Sequence, residues 1–271
     1  MPSSKPCVLV TGAGRGLGRA IANTFHENGF HVVATDYDEE LLADLEGVEG
    51  YLTLQQDVSD PDRAAEVASR IDRELGRLDA IVNNAGINPF YPVSETPPAR
   101  TIQVFMVNTF GTLIVTQACL DLLIASKGTV VNIASESSPF RPPFQIYQSS
   151  KMALECLSDV MRRELMLFDV HVAIIRPGAI DTNLIADTKE VPIDVKESRF
   201  ERFFPRLREL VASNMPKKLS QPSEVAALVH RAATDPRKKV MYRINNDPKQ
   251  RVVARLPAKW VDRVLLKRLR G

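Results

Sequence analysis

The sequence predicts one parallel α/β sheet with helices covering both faces. Two observations carry that expectation. Short apolar runs alternate with segments of helical period along the 271 residues. The runs are apolar at successive positions, so each strand needs cover on both sides, which only a sheet between two helix layers provides. The length is acceptable for a single α/β domain. An apolar fraction of 44% allows a sizeable core, and 25% charged residues keep the surface soluble.

The elements read in order as follows. Cys7–Val10 is a short apolar strand, followed by a Gly-rich turn and a helical pattern to about Asn28. Phe30–Thr35 is the second strand, Asp38–Leu45 a helix and Tyr51–Leu54 the third strand. Pro61 after Ser59-Asp60 suits the first position of a helix that runs to about Leu75. Ala80–Asn83 is the fourth strand, and one long helical pattern spans about Ala99–Ala125. Thr129–Ala134 is the fifth strand, Tyr147–Phe168 a helix, and Val170–Ile175 the sixth strand. No internal repeat or low-complexity segment interrupts the chain, and no domain boundary is expected before residue 245. The expected organisation is therefore a domain over 1–248, with a lid at about 183–219, and an extension over 249–271.

Bulk properties remove several function classes. A net charge of +2 is too small to suggest a nucleic-acid binder. No run approaches the roughly eighteen consecutive apolar residues of a membrane span. The polar stretch Met1–Pro6 leads straight into an apolar run, which leaves no room for a secretory or transit signal. Cys7, Cys119 and Cys156 are scattered through apolar-periodic segments and read as buried free thiols of a reducing compartment. A cytoplasmic protein is the expectation, with peripheral membrane association left open by the tail described below.

The first chemical signal is Thr11-Gly12-Ala13-Gly14-Arg15-Gly16-Leu17-Gly18, which follows a strand and opens a helix. Glycines let the backbone turn sharply and approach a pyrophosphate, and the helix N-terminus adds N–H groups and a positive dipole end. Asp36 follows the second strand, twenty-four residues beyond Gly12. A carboxylate there accepts both ribose hydroxyls of NAD and repels the extra phosphate of NADP. Arg15 pulls the other way, because a basic residue in the turn can pair with a phosphate. Asp36 is weighed more heavily, so NAD is expected and NADP is the lesser alternative; a helix-capping role for Asp36 is the plainer reading.

Here the sequence resembles the short-chain dehydrogenase/reductase family. The spacing Thr-Gly-x-x-x-Gly-x-Gly is similar to that family's turn, and further signatures follow in its order. They are Asn83-Asn84-Ala85-Gly86, Val107-Asn108-Thr109, Ser135, Tyr147-Gln148-Ser149-Ser150-Lys151, and Pro177-Gly178-Ala179-Ile180-Asp181-Thr182. The resemblance covers residues 7–182 closely and a seventh-strand region near Lys239–Ile244 more loosely. It implies a doubly wound, Rossmann-like sheet with cofactor and active site at the C-terminal strand ends. It implies Asn108, Ser135, Tyr147 and Lys151 as the catalytic set. It also implies that Gly12, Arg15, Gly16, Leu17, Gly18, Asp57, Val58, Asn84, Ala85, Gly86, Pro177, Gly178, Ile180 and Thr182 line the cofactor site, with Tyr147 and Lys151. No metal is implied, and a homodimer or homotetramer is.

Chemistry gives the set separate tasks. A phenol ionises near pH 10 in water and is a poor base at neutral pH. Lys151 lies one helical turn from Tyr147, on the same face. Its charge and that of oxidised nicotinamide are expected to lower the Tyr147 pKa. Tyr147 then accepts the proton of an alcohol or donates one to a ketone, while Ser135 holds the same oxygen. Asn108, by resemblance, anchors a water-linked proton path. Asn83 reads instead as a stitch between strands. Ala134 and Glu136 depart from the small polar neighbours usual in the family, and Glu136 either faces solvent or meets a polar substrate group.

The substrate is less legible. Phe90, Tyr91, Phe140, Phe144, Phe200, Phe203 and Phe204 fall in loops expected around the site. They suit a lipophilic ligand or pack the lid into the core. Arg162-Arg163-Glu164-Leu165 through Ile180 is similar to retinol, hydroxysteroid and hydroxybutyrate dehydrogenases, which favours a secondary or lipid-like alcohol. In the tail, Trp260, Val261, Val264, Leu265 and Leu269 share helical spacing, with Arg263, Lys267 and Arg270 between them. Such a basic amphipathic helix covers an active-site mouth or a partner subunit, or lies on an anionic membrane. The leading expectation is an NAD(H)-dependent alcohol dehydrogenase or ketone reductase. A catalytically quiet NAD(H)-sensing regulator and a membrane-surface adaptor are the alternatives.

Overall fold

The computed structural model describes residues 4–138, 143–181, 198–214, 219–246, 252–253 and 255–270. Seven parallel strands form one sheet in the order β3-β2-β1-β4-β5-β6-β7. They are β1 (Cys7–Thr11), β2 (His31–Asp36), β3 (Tyr51–Gln55), β4 (Ala80–Asn83), β5 (Thr129–Ile133), β6 (His171–Pro177) and β7 (Met241–Ile244). The order reverses between β1 and β4, so the chain winds outward in both directions and leaves a crevice above that switch point.

Helices cover the two faces as the doubly apolar strands require. On one side, α1 (Gly16–Glu27) packs against the later helix Pro222–Thr234, closing a core with Ile21, Phe25, Val8 and Val229. On the other side lie α2 (Pro61–Leu75), α3 (Pro98–Phe105), α4 (Gly111–Ala118), α5 (Leu120–Ser126) and α6 (Ile146–Leu165). Leu9, Ile71, Ile81 and Leu123 are buried there. The remaining helices are α7 (Phe204–Asn214), α8 (Pro222–Thr234) and α9 (Ala258–Arg270).

Local chemistry sets the boundaries. The Asp60 carboxylate accepts the backbone N–H of Asp62 at 2.9 Å, Pro61 follows at the first turn, and Gly76 ends α2 at φ 64°. The region expected as a 3.6-period helix over Asp38–Leu45 is instead a tighter 3-10 turn over Glu39–Leu45, started by Asp38. The single helix expected over Ala99–Ala125 is also divided. A π turn spans Met106–Phe110, and the chain bends by 63° at Cys119. Among the described residues no single helix is long and apolar enough to cross a membrane. Cys7 and Cys119 are buried thiols, but Cys156 is exposed, against expectation, because it sits on the outer side of α6.

Candidate active site

The loops after β1, β2, β4, β5 and β6 open on one edge of the sheet and enclose a chamber of about 1210 Å³. That exceeds the roughly 300–1,000 Å³ of ordinary single-ligand pockets, so two ligands fit side by side.

At one end the glycines of the first turn are required by geometry. Gly12 has φ +64°, and a Cβ on Gly18 would stand 1.9 Å from the Gly12 carbonyl oxygen. A Cβ on Gly14 would stand 2.7 Å from Asp36 Oδ2, which accepts the Gly14 N–H at 2.8 Å. Gly14 is thus as constrained as its neighbours, and its place in the motif was the available signal. The Asn84 side chain donates to the carbonyls of Thr11 (2.9 Å) and Gly12 (3.1 Å), while the Thr11 hydroxyl accepts the N–H groups of Asn84 and Ala85. Asp57 closes its own turn by accepting from the Ser59 N–H and hydroxyl.

Two features show what this end accommodates. Arg15 precedes α1 without a side-chain cap, so the first N–H groups of α1 are left for an anion at the chamber wall. Gln56 lines the chamber beside Asp57 and Val58 and accepts from the Thr35 hydroxyl at 2.8 Å, but its buried Nε2 has no hydrogen-bond partner. A glycine cradle, an uncapped helix and an orphaned donor fit a dinucleotide. Gln56 carries no motif and was missed in the sequence.

At the other end, β5 delivers Ser135 and the first turns of α6 deliver Tyr147 and Lys151. Ser135 Oγ lies 2.8 Å from Ser137 Oγ, and Ser135 and Tyr147 both line the chamber. Lys151 is buried, donates to the Ile133 carbonyl at 2.8 Å, and places Nζ 5.7 Å from the centre of the Tyr147 ring. Burial pushes the Tyr147 hydroxyl up to about 12, with the nearby Ser135 hydroxyl acting against it. Burial lowers Lys151 to about 8. The direction at Tyr147 is opposite to the sequence expectation. Within the chain alone desolvation dominates, and the Lys151 ammonium is directed at a backbone carbonyl.

Asn108 stands one layer behind the wall. Its Oδ1 accepts the Ile87 N–H at 2.8 Å, and its Nδ2 donates to the Ile87 carbonyl at 2.9 Å and to Ser150 Oγ at 3.0 Å. It lies in the π turn, whose extra residue in the helical ladder directs it at both neighbours. Gly86 fills the gap: a Cβ there would lie 3.2 Å from Asn108 Oδ1 and 3.6 Å from Lys151 Nζ. Asn108 is therefore a positioning residue for α6 and the β4 loop. Pro177, Gly178 and Ile180 reach the chamber, and a Cβ on Gly178 would stand 2.1 Å from the Asn245 carbonyl oxygen. Gly12, Arg15, Gly16, Leu17, Gly18, Asp36, Asp57, Val58, Asn84, Ala85 and Gly86 line it too. Thr182 lies outside the described residues, as do Phe140 and most of the expected lid.

Asn83 is the stitch expected of it, donating to Asn132 Oδ1 of the adjacent strand at 2.9 Å. The aromatic residues divide differently from a ligand-lining set. Phe144 packs against Phe90, Phe200 and Phe204, with ring centres 5.3–6.2 Å apart, and none of these four lines the chamber. They fasten the start of α7 to the body. Apolar lining comes from Ile87, Val107 and Ile180, from Leu207 and Leu210 of α7, and from the tail, including Trp260, Val261, Val264 and Leu265. Among the described residues no group of three or more His, Cys, Asp or Glu side chains is placed to hold a metal ion.

Comparison with known proteins agrees with this geometry. The family model described as "short chain dehydrogenase" matches residues 6–192. The chain belongs to the short-chain dehydrogenase family. It is 37% identical over 190 residues to a short-chain dehydrogenase, ptmH, of Penicillium ochrochloron, covering 69% of this chain and 70% of that one. It is 31% identical over 234 residues to the NADPH-dependent 3-dehydrocapnine reductase of Ornithobacterium rhinotracheale, covering 81% and 80%. Its fold is similar to that of a Burkholderia phymatum short-chain dehydrogenase/reductase solved in complex with NAD. That similarity has a TM-score of 0.77 and 21% identity, and covers 96% of this chain and 95% of that one. This short-chain dehydrogenase family member thus belongs among oxidoreductases that bind a nicotinamide cofactor and act on small molecules.

Proposed function

We propose that the protein transfers a hydride between NAD(H) and a lipophilic secondary alcohol or ketone, with Tyr147 as the acid/base. The observation that carries this reading is the convergence of Ser135 and Tyr147 on the chamber wall, with Lys151 buried beside them. A bound nicotinamide supplies the hydride donor or acceptor. In ketone reduction, Tyr147 gives its proton to the carbonyl oxygen while Ser135 donates a hydrogen bond to the same atom. In alcohol oxidation the tyrosinate takes the hydroxyl proton, and the charge of Lys151 stabilises that anion.

The NAD preference is supported by Asp36, whose carboxylate lines the chamber and is fixed by the Gly14 N–H. A fixed anion there repels a ribose phosphate. Arg15 lines the same end and opposes that preference, and the relative named as NADPH-dependent belongs to the same family. The test follows consumption of NADH and NADPH with methyl ketones, ketosteroids, retinal and short keto acids. Ketone-dependent oxidation of NADH, faster than of NADPH, is expected. Turnover with NADPH alone overturns the cofactor reading, and no turnover with any carbonyl overturns the reaction.

A further inference from the structure

We propose that α9 is the roof of the substrate chamber, and that its apolar face holds the hydrocarbon body of a long lipophilic alcohol or ketone. The inference rests on the hydride-transfer reading for what happens at Tyr147, but the roof itself stands on separate observations.

Helix α9 begins where the Pro257 carbonyl accepts the Trp260 and Val261 N–H groups. Its residues divide by face with one exception, Arg268, which joins the chamber-lining side. Trp260, Val261, Val264 and Leu265 follow one stripe, and all line the chamber that contains Tyr147 and Ser135. Lys259, Arg263, Lys267 and Arg270 fall on the opposite face with Leu266, and none of these lines the chamber. The stripe is turned inward yet is not packed: Trp260 is 61% exposed and Val264 56%. No residue of α9 is buried. An apolar face aimed into a cavity without protein atoms against it is a surface set for a ligand.

The attachment of the helix agrees with this role. Its main partner is α7, whose Leu207 and Leu210 continue the same apolar wall. Arg206 of α7 donates to the Leu269 carbonyl at 3.5 Å, at the C-terminal end of α9. Opposite the roof are polar groups with unmet capacity. Gln148 is buried and donates to Ser137 Oγ at 3.4 Å, but its Oε1 has no partner. The chamber thus has a polar floor for the reacting oxygen and a ceiling for the carbon skeleton that is apolar except at Arg268. The family match ends at residue 192, before α7 and α9 begin. Anionic bilayers are the competing occupant for a basic amphipathic helix, but here the face a bilayer needs is the one turned inward.

Trp260 is the chain's single tryptophan, so its emission reports on the roof directly. The experiment titrates the NADH-loaded full chain with methyl ketones of increasing chain length and follows Trp260 emission and NADH oxidation. Long ketones are expected to shift the emission and bind more tightly than short ones. Val264→Ser and Leu265→Ser are each expected to weaken long-ketone affinity about tenfold, equivalent to about 1.4 kcal/mol, and to leave short ketones unchanged. Leu266→Ser, on the outer face, is expected to change neither. Emission that ignores every ketone overturns the roof, as do equal losses for short and long ketones. An emission response confined to vesicles of anionic phospholipid also overturns it, in favour of a membrane contact. Emission that responds to long ketones while no NADH is consumed keeps the roof and removes the hydride-transfer reading.

Discussion

The two halves of the chamber are built from different materials. The cofactor half is backbone and short polar side chains at the ends of strands: glycines within 3 Å of neighbouring atoms, Asn84 bridging to Thr11 and Gly12, Asp36 fixing Gly14. The roof half is mainly apolar side chains, with Arg268, on two outer helices, one of which buries nothing. The first half tolerates almost no added atom, because a new Cβ meets main chain at Gly12 and Gly18 and the Leu41 and Asp36 side chains at Gly14. In the second, no residue of α9 is buried. Rigid placement serves a ligand whose shape never varies, and loose aliphatic cover serves one that the sequence does not name.

If that division is real, the largest loss comes from the chemical pair at the junction of the halves. Tyr147→Phe is expected to lower turnover by about a hundred- to ten-thousandfold, the range of general acid–base groups, with NADH affinity nearly intact. Turnover and NADH fluorescence titration on the same sample check it. Near wild-type turnover removes Tyr147 from the chemistry.

The fold was legible almost throughout because doubly apolar strands and a capped α2 state their own structure. The cofactor turn was legible because a close backbone approach needs glycine. Less visible was the division of residues 98–126: a π turn adds one residue to a ladder whose apolar faces continue, so periodicity reads straight through it. Gln56 was invisible because a single amide in a strand's exit loop has no pattern. The phenylalanines were ambiguous for a related reason. Composition places aromatic rings in a loop without giving their direction, and Phe144 turned out to meet Phe200 and Phe204. The tail's stripe was plain in the sequence, but amphipathicity defines a face and not what it faces.

The rigid half also carries a stability signature. Lys151 is held near 8 when folded, below its ordinary 10.5, because burial disfavours its charge. Between those values the unfolded chain binds more protons than the native one, so this group makes stability rise with pH from about 8 to 10.5. The slope it adds is at most about 1.4 kcal/mol per pH unit. Lys151→Met is expected to remove that rise, measured as the wild-type minus variant difference in urea unfolding free energy across the window. A difference flat with pH means that Lys151 is not desolvated as placed.

A smaller effect sharpens the cofactor side. Asp36→Ala removes a ribose acceptor and a repulsive charge while freeing the Gly14 N–H. The ratio of kcat/KM for NADH over NADPH is expected to fall by about tenfold, within the 1–3 kcal/mol typical of a lost charged hydrogen-bonding partner. An unchanged ratio assigns Asp36 to the turn alone, and a wild type already faster with NADPH assigns the choice to Arg15.

The smallest expected change lies on the roof, and it separates stability from function. Deep in the core, Phe25 is fully buried, and truncation of such a residue costs about 3–5 kcal/mol. Trp260 is larger but mostly exposed, so Trp260→Ala is expected to shift unfolding free energy by no more than about 0.5 kcal/mol, as surface substitutions do. A sequence reading in which the tail packs as ordinary core expects several times that, about 1.5–3 kcal/mol for a fully buried side chain. Urea unfolding without ligand, and again with a long-chain methyl ketone and NADH, distinguishes the two. A ligand that binds only the native state stabilises it in proportion to its occupancy. Wild type and variant should therefore melt together when empty and diverge when the chamber is filled. Divergence already present in the empty protein shows that the roof is part of the fold's own core.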